Sequence, residues 1–131
     1  MKVLLFNGSP RGEMCTYTAL AEIAKTLNAE GVETEIVSVG TKPIAGCIGC
    51  GACRKAGKCV FGDNDGVNAF VEKARTADGF IFGAPVHYAS IGGAASAFLD
   101  RVFYSNSSVF AFKPGAAVVS CRRGGSTASL D

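Results

Sequence analysis

A surplus of charge of either sign is missing from this 131-residue chain. Thirteen Lys and Arg against eleven Asp and Glu leave a net charge of +2, and the only paired basic residues are Arg54-Lys55 and Arg122-Arg123. A dedicated nucleic-acid binder would carry a basic stripe, so no nucleic-acid partner is expected. Long hydrophobic runs are missing too. The longest uncharged apolar stretch, 79–99, is interrupted by Pro85, His87 and four glycines, which argues against a membrane-spanning helix and a membrane partner. The apolar run Val3-Leu4-Leu5-Phe6 is too short for a signal-peptide core, so a cytoplasmic location is expected. Histidine occurs once, at His87, and one imidazole carries no argument for acid–base catalysis. There are no internal repeats and no low-complexity tract. Hydrophobic residues at 48% against 18% charged exclude disorder and fit one globular domain over 1–131.

Cysteine, by contrast, is plentiful. Four of the six lie between positions 47 and 59, with Cys15 and Cys121 standing apart. A disulfide scaffold would spread its cysteines and would need an oxidising compartment. Metal or redox thiol chemistry is the better expectation.

The hydrophobic pattern alternates between strand and helix. Val3-Leu4-Leu5-Phe6 reads as a strand buried on both faces, followed by the loop Asn7-Gly8-Ser9-Pro10-Arg11-Gly12. Leu20, Ile23, Ala24 and Leu27 recur at helical spacing and predict a helix over 16–30, stopped by Gly31. A second strand is predicted over 34–39. Strand, helix and strand make a βαβ unit, which favours a parallel sheet covered on both faces. Residues 40–65 have little periodicity and form a cysteine-rich insertion; loops of this length in compact domains are commonly functional. Asp63-Asn64-Asp65-Gly66 lacks the late Glu of a calcium loop and reads as a turn, with Asp65 as helix cap. A helix through Val67, Phe70, Val71 and Ala74 follows, then a strand over 79–83 opening into a loop over 84–90. A helix carried by Ile91, Ala95, Phe98, Leu99 and Val102 comes next, with Asp100-Arg101 near its end as a structural pair. A fourth strand over 115–120 leads to the loop 121–126, and the chain stops where another helix is expected to begin.

Ligands of open α/β sheets bind beyond the carboxyl ends of the strands. The first loop precedes a helix, and hydroxyls, an Arg fork and helical N–H groups make an anion site. The dinucleotide pattern G-x-G-x-x-G fails here, and the triphosphate pattern fails because position 13 is Glu. A terminal phosphomonoester is the remaining expectation. Pro85-Val86-His87-Tyr88-Ala89-Ser90 adds an aromatic-bearing loop able to border a flat heterocycle.

Gly8-Ser9-Pro10-Arg11 with Thr16, then Pro85-Val86-His87-Tyr88-Ala89-Ser90-Ile91 leading to Phe98-Leu99-Asp100-Arg101, then Gly124-Gly125-Ser126, resembles the NADPH-dependent FMN reductase family. The resemblance covers essentially the whole chain. It implies a flavodoxin-like fold, a three-layer doubly wound parallel sheet of order 2-1-3-4-5, with the fifth strand and closing helices missing from this chain. Ser9, Arg11, Cys15 and Thr16 would hold the FMN phosphate, although Cys15 stands where a small hydroxyl or amide residue is more usual. Pro85, Val86, His87, Tyr88 and Ser90 would border the flavin ring and ribityl chain, and Gly124, Gly125 and Ser126 would pass its other side. The implied activity is FMN-dependent oxidation of NAD(P)H, delivering electrons to a flavin, quinone or similar small acceptor. The flavin carries that chemistry, so no catalytic side chain is expected. The resemblance also implies a homodimer or higher homo-oligomer.

Cys47-x-x-Cys50-x-x-Cys53, with Cys59 further on, is similar to the compact cysteine motif of the iron–sulfur flavoproteins of the same broad family. That similarity implies a [4Fe–4S] cluster on Cys47, Cys50, Cys53 and Cys59, and an electron-transfer role as the alternative function. Two other readings stay open: metal-free redox thiols or a disulfide, and zinc, although structural zinc sites usually split their ligands into two separated pairs. A pure flavodoxin-like carrier would be strongly acidic, which the net charge of +2 does not match. A thiol-based redox sensor without turnover is allowed by the same cysteines and favoured by nothing else.

Overall fold

A computed structural model describes residues 1–131. Its order is β1 (Lys2–Asn7), α1 (Cys15–Ala29), β2 (Glu33–Ser38), α2 (Cys53–Ala56), α3 (Val67–Thr76), β3 (Gly79–His87), β4 (Ser90–Ile91), α4 (Gly93–Asn106), one 3₁₀ turn (Ser107–Val109), β5 (Gly115–Ser120) and α5 (Ser126–Leu130). β2, β1, β3 and β5 lie side by side in parallel, with Leu5 opposite Ile36 and Ile81, and Phe82 opposite Ala117. No helix is long and apolar enough to cross a membrane.

Alternation along β1 builds the layers. Leu5 points to one face, where it meets Leu20 and Ala24 of α1. Leu4 and Phe6 point to the other, where α3 and α4 supply Val67, Phe70, Val71, Ala95, Phe98 and Val102. A strand buried on both faces must be apolar throughout, which is why its sequence shows a continuous run. Phe6 stacks on Phe98 with centroids 4.9 Å apart, and Phe70 meets both edge-on at 5.7 and 5.6 Å. This trio fixes α3 and α4 against the sheet.

The α/β class and the flavodoxin-like strand order agree with expectation, with corrections of detail. The sheet has five strands rather than four, because Ser90-Ile91 pairs antiparallel with Val86 and His87. β3 therefore runs on to His87 instead of ending at Gly83, and Pro85, Val86 and His87 are strand residues, not loop. Pro85 sits there without conflict. Gly83 O accepts from Gly8 N on the β1 side at 2.7 Å, so Pro85, two residues on, faces that same side beyond the last β1 pairing. Ile91 belongs to β4, and α4 starts at Gly93. The expected last loop ends at Gly125, since Ser126 opens α5. Within the cysteine-rich stretch, Cys53–Ala56 forms one helical turn that the sequence does not announce.

The β2 edge is held by charge. Glu35 pairs with Lys2 at 2.8 Å and with Lys73, and those two hydrogen-bonded ammonium groups, Lys2 foremost, hold its carboxyl below the ordinary value of 4.5. A depressed carboxylate contributes stability above its unfolded pKa and loses it as pH falls through the folded one. Thermal unfolding followed from about pH 6 to about pH 3 is therefore expected to fall less steeply for Glu35→Gln than for the parent. Equal slopes would mean that the Glu35 pairs add nothing.

Candidate functional site

Strand order reverses at β1: the chain crosses from β1 to β2 on one side and returns to place β3 on the other. Beyond the carboxyl ends of β1 and β3 lies the crevice where such sheets take ligands. An open cleft of about 480 Å³ occupies it, lined by Ser9, Arg11, Met14, Cys15, Thr16, Pro85, Val86, His87, Ser120, Cys121 and Arg122.

The first loop is shaped by Asn7, which is wholly buried at the end of β1. Its Nδ2 donates to Gly12 O at 3.3 Å and to Ser38 Oγ at 3.2 Å, while its Oδ1 accepts from Ser9 N at 3.1 Å. Asparagine suits this place because one side-chain amide can both donate to and accept from a tight turn. Ser9, itself buried, accepts from Arg11 N at 3.3 Å. Thr16 Oγ1 and Ser120 Oγ lie 2.9 Å apart and join the start of α1 to the end of β5.

The start of α1 is left open to a ligand. No side chain caps it and its first turn holds no acidic residue. The first N–H groups of a helix have no partner within it, and over fifteen residues the peptide dipoles add a partial positive charge there. Arg11 and Arg122 line the same cleft. The donor set is that of an anion site, and an FMN phosphate fits it.

Tyr88 and Ala89 form the two-residue turn between β3 and β4, with φ of +51° and +70°. Hairpins of this size favour turns with positive φ at both central residues, where Asn-Gly is usual and a tyrosine is costly by about 1–3 kcal/mol. Gly125, at φ +94°, packs against that turn: a Cβ on it would come within 2.8 Å of Ala89 Cα and of Val86 Cγ1. Ala substituted there would displace the hairpin. The third loop thus buttresses the second.

Of the cofactor residues expected from sequence, Ser9, Arg11, Cys15, Thr16, Pro85, Val86 and His87 line the cleft together. Tyr88, Ser90, Gly124, Gly125 and Ser126 do not line it; Tyr88 projects fully into solvent and Ser90 lies in β4. Met14, Ser120, Cys121 and Arg122 were missed as lining residues, and Asn7 as the organiser of the loop. Position alone could have found Ser120 to Arg122, since Ser120 ends β5 and Cys121 and Arg122 directly follow it.

Cys47, Cys50, Cys53 and Cys59 line a second, much smaller cavity together with Ile48, Phe61, Arg101 and Tyr104. Gly49 and Gly51, at φ +65° and +68°, stand between successive cysteines in a conformation that strains other residues. All six cysteines are free thiols. No group of three ligating side chains closes on one point as a single metal ion would need. Thiolates around one zinc stand about 3.8 Å apart, given Zn–S bonds of about 2.3 Å. A cubane cluster is held by four Cys thiolates, and four cysteines line this one cavity.

Cys59 is the most firmly placed of the four. Asn68 clamps its backbone, accepting from Cys59 N at 3.0 Å and donating to Cys59 O at 2.8 Å. Arg101 is buried and turns inward to Asp65, so the expected pairing of adjacent Asp100 and Arg101 does not occur; Asp100 is exposed. Neighbours in a helix point about 100° apart, and only one of these two can face the core. The N-cap of α3 is Gly66 rather than the expected Asp65, which stands one residue further out and accepts from Val67 N at 3.3 Å.

The family model of the NADPH-dependent FMN reductases matches residues 1–131, and the chain belongs to that family. Within it, the chain is similar to an iron-sulfur flavoprotein of Methanocaldococcus jannaschii, 37% identical over 101 residues, covering 77% of this chain and 51% of that protein. An iron-sulfur flavoprotein of Methanosarcina thermophila is 36% identical over 116 residues, covering 86% of this chain and 58% of that one. The chain thus spans about half the length of the curated relatives it matches. Among solved structures, RosB with a bound 8-demethyl-8-formylriboflavin-5'-phosphate intermediate superposes with a TM-score of 0.72 at 19% identity, covering 98% of this chain and 55% of that one. That likeness is one of fold.

Proposed function

We propose that the strand-end cleft binds FMN, that the cysteine cavity holds a [4Fe–4S] cluster, and that the protein is a flavin-dependent oxidoreductase drawing on NAD(P)H. The observation that carries the reading is the uncapped start of α1 facing the same cleft as Arg11, Arg122 and the buried Ser9 hydroxyl. Four thiols around one cavity, in a chain similar to proteins named iron-sulfur flavoproteins, support the cluster.

Ser9, Arg11, Thr16 and the α1 amides would bind the phosphate, with Cys15 adding a contact at the same turn. Pro85, Val86 and His87 would border the ring on the β3 side. Tyr88, Ser90, the loop residues Gly124 and Gly125, and Ser126 at the start of α5 would set the position of that wall from outside the cleft. Cys47, Cys50, Cys53 and Cys59 would ligate the cluster. Bound FMN supplies two-electron and one-electron redox chemistry, and the polypeptide supplies placement and electrostatics. Backbone amides and the two arginines favour negative charge on whatever the cleft holds. The acceptor would be a flavin, quinone or similar small molecule.

A second reading, an electron-transfer protein, is favoured by the cysteine cavity, because two centres let electrons enter in pairs and leave singly. Anaerobic protein loaded with FMN and iron and mixed with NADPH or NADH separates the two. Rapid bleaching of the flavin is expected for the reductase. Bleaching only by a one-electron donor such as reduced ferredoxin would leave electron transfer and remove the nicotinamide step.

A further inference from the structure

Arg101 has no part in the phosphate or ring contacts, yet it is among the most constrained side chains of the molecule. It is 2% exposed, on the face of α4 turned towards the cysteine cavity. Its Nη1 donates to Asp65 and, at 3.2 Å, to Ala45 O. Its Nε and Nη2 both donate to Cys59 Sγ, each at 3.4 Å. One guanidinium thus ties together the two ends of the cysteine-rich stretch, at Ala45 and Asp65, and spends its remaining fork on one sulfur.

Burying a guanidinium is costly unless every donor finds a partner. A lysine would answer Asp65 equally well as a charge, but it could not also present two N–H groups to one sulfur in a fixed plane. The fork on Cys59 is therefore what the choice of arginine adds.

We propose that Arg101 is a positioning residue for the cluster: it holds Cys59 in place as a ligand and, by donating two hydrogen bonds to that sulfur, raises the cluster's reduction potential. The inference rests on the cluster reading above. Reduction adds one electron from a low-potential donor, with no bond made or broken, and places more negative charge on the cluster and its sulfurs. Hydrogen bonds to the sulfurs and a nearby cation stabilise that charge, so the reduced form gains. Asp65 sets the direction of the fork by holding the opposite side of the guanidinium.

The test is a dithionite redox titration of the anaerobic, iron-loaded protein, followed by the spin signal of the reduced cluster. Parent, Arg101→Lys and Arg101→Gln are compared, with iron content and FMN affinity measured on each. Arg101→Gln carries the risk of misfolding, since it leaves Asp65 unpaired; Arg101→Lys keeps a cation opposite Asp65 and removes only the fork. The expected order of potentials is parent, then Lys, then Gln, with the reduction equilibrium of Arg101→Lys weakened about tenfold, equivalent to about 59 mV for one electron. Selective loss of iron from Arg101→Lys with FMN affinity unchanged would support the same role. The FMN cleft is an independent control, because Arg101 lies about 12 Å along α4 from Gly93, where the helix leaves the hairpin. Potentials equal to the parent's in both variants would overturn the proposal, as would joint loss of iron and FMN binding from Arg101→Lys, which marks a merely structural residue. Parent protein that takes up no iron would overturn the cluster reading itself, and that outcome is separate from an unchanged potential.

Discussion

Replacing Ser9 and Arg11 together with alanine is expected to weaken FMN binding about a hundredfold or more while leaving the unfolding midpoint nearly unchanged. Hydrogen bonds to a charged group are worth about 1.5–3 kcal/mol each. Arg11 is solvent-exposed in the free protein, so the lower end applies to it. Two such losses sum to about 3 kcal/mol, and about 1.4 kcal/mol is tenfold in affinity. The fold should tolerate the change because the hydroxyl of Ser9 does no more within the protein than accept from Arg11 N. Asn7, not Ser9, holds the loop in shape. Fluorescence titration with FMN checks the result, and unchanged affinity would remove these residues from the phosphate site.

The second large effect concerns iron. Cys50→Ser and Cys53→Ser, made singly, are expected to reduce iron from about four per chain to under one. A serine hydroxyl stays protonated where a thiolate would ligate, and an iron corner without its ligand is exposed to solvent. Both cysteines lie outside the flavin cleft, so FMN affinity should stay at the parental value. Iron content after anaerobic reconstitution decides the matter. Full iron in both variants would exclude these thiolates as ligands.

Much of the fold could be read from the pattern of apolar residues. Val3 to Phe6 had to be a strand covered on both faces, and Leu20, Ile23 and Ala24 had to form one helix face. The end of β3 was not legible. Ala84 and Pro85 look like punctuation, and it takes pairing across the fold, Pro85 with Ser120 and then Val86 and His87 with Ile91 and Ser90, to extend the strand through and past them. The hairpin turn was equally hidden, because Tyr88-Ala89 carries none of the usual turn chemistry and is imposed by its surroundings.

At the site, residues that act through sequence-local chemistry were readable and those that act across the fold were not. Ser9, Arg11 and Thr16 stand next to a helix start, which the pattern marks. Ser120 reaches Thr16 over a separation of 104 residues, and Arg101 reaches Cys59 over 42. No local signal encodes such meetings; they follow from the packing of β5 beside β3 and of α4 over the cysteine-rich stretch. Asp100-Arg101 shows the limit well, since adjacency in sequence suggested a pair that helical geometry forbids.

The cleft beyond β1 and β3 is proposed as a flavin site anchored through the flavin's phosphate. The most direct measurement compares FMN with riboflavin, which differs only in lacking that phosphate, by equilibrium titration of the same anaerobic protein. One FMN per chain is expected, with riboflavin bound at least about a hundredfold more weakly. Equal affinity for the two flavins, or no flavin bound at all, would contradict the account.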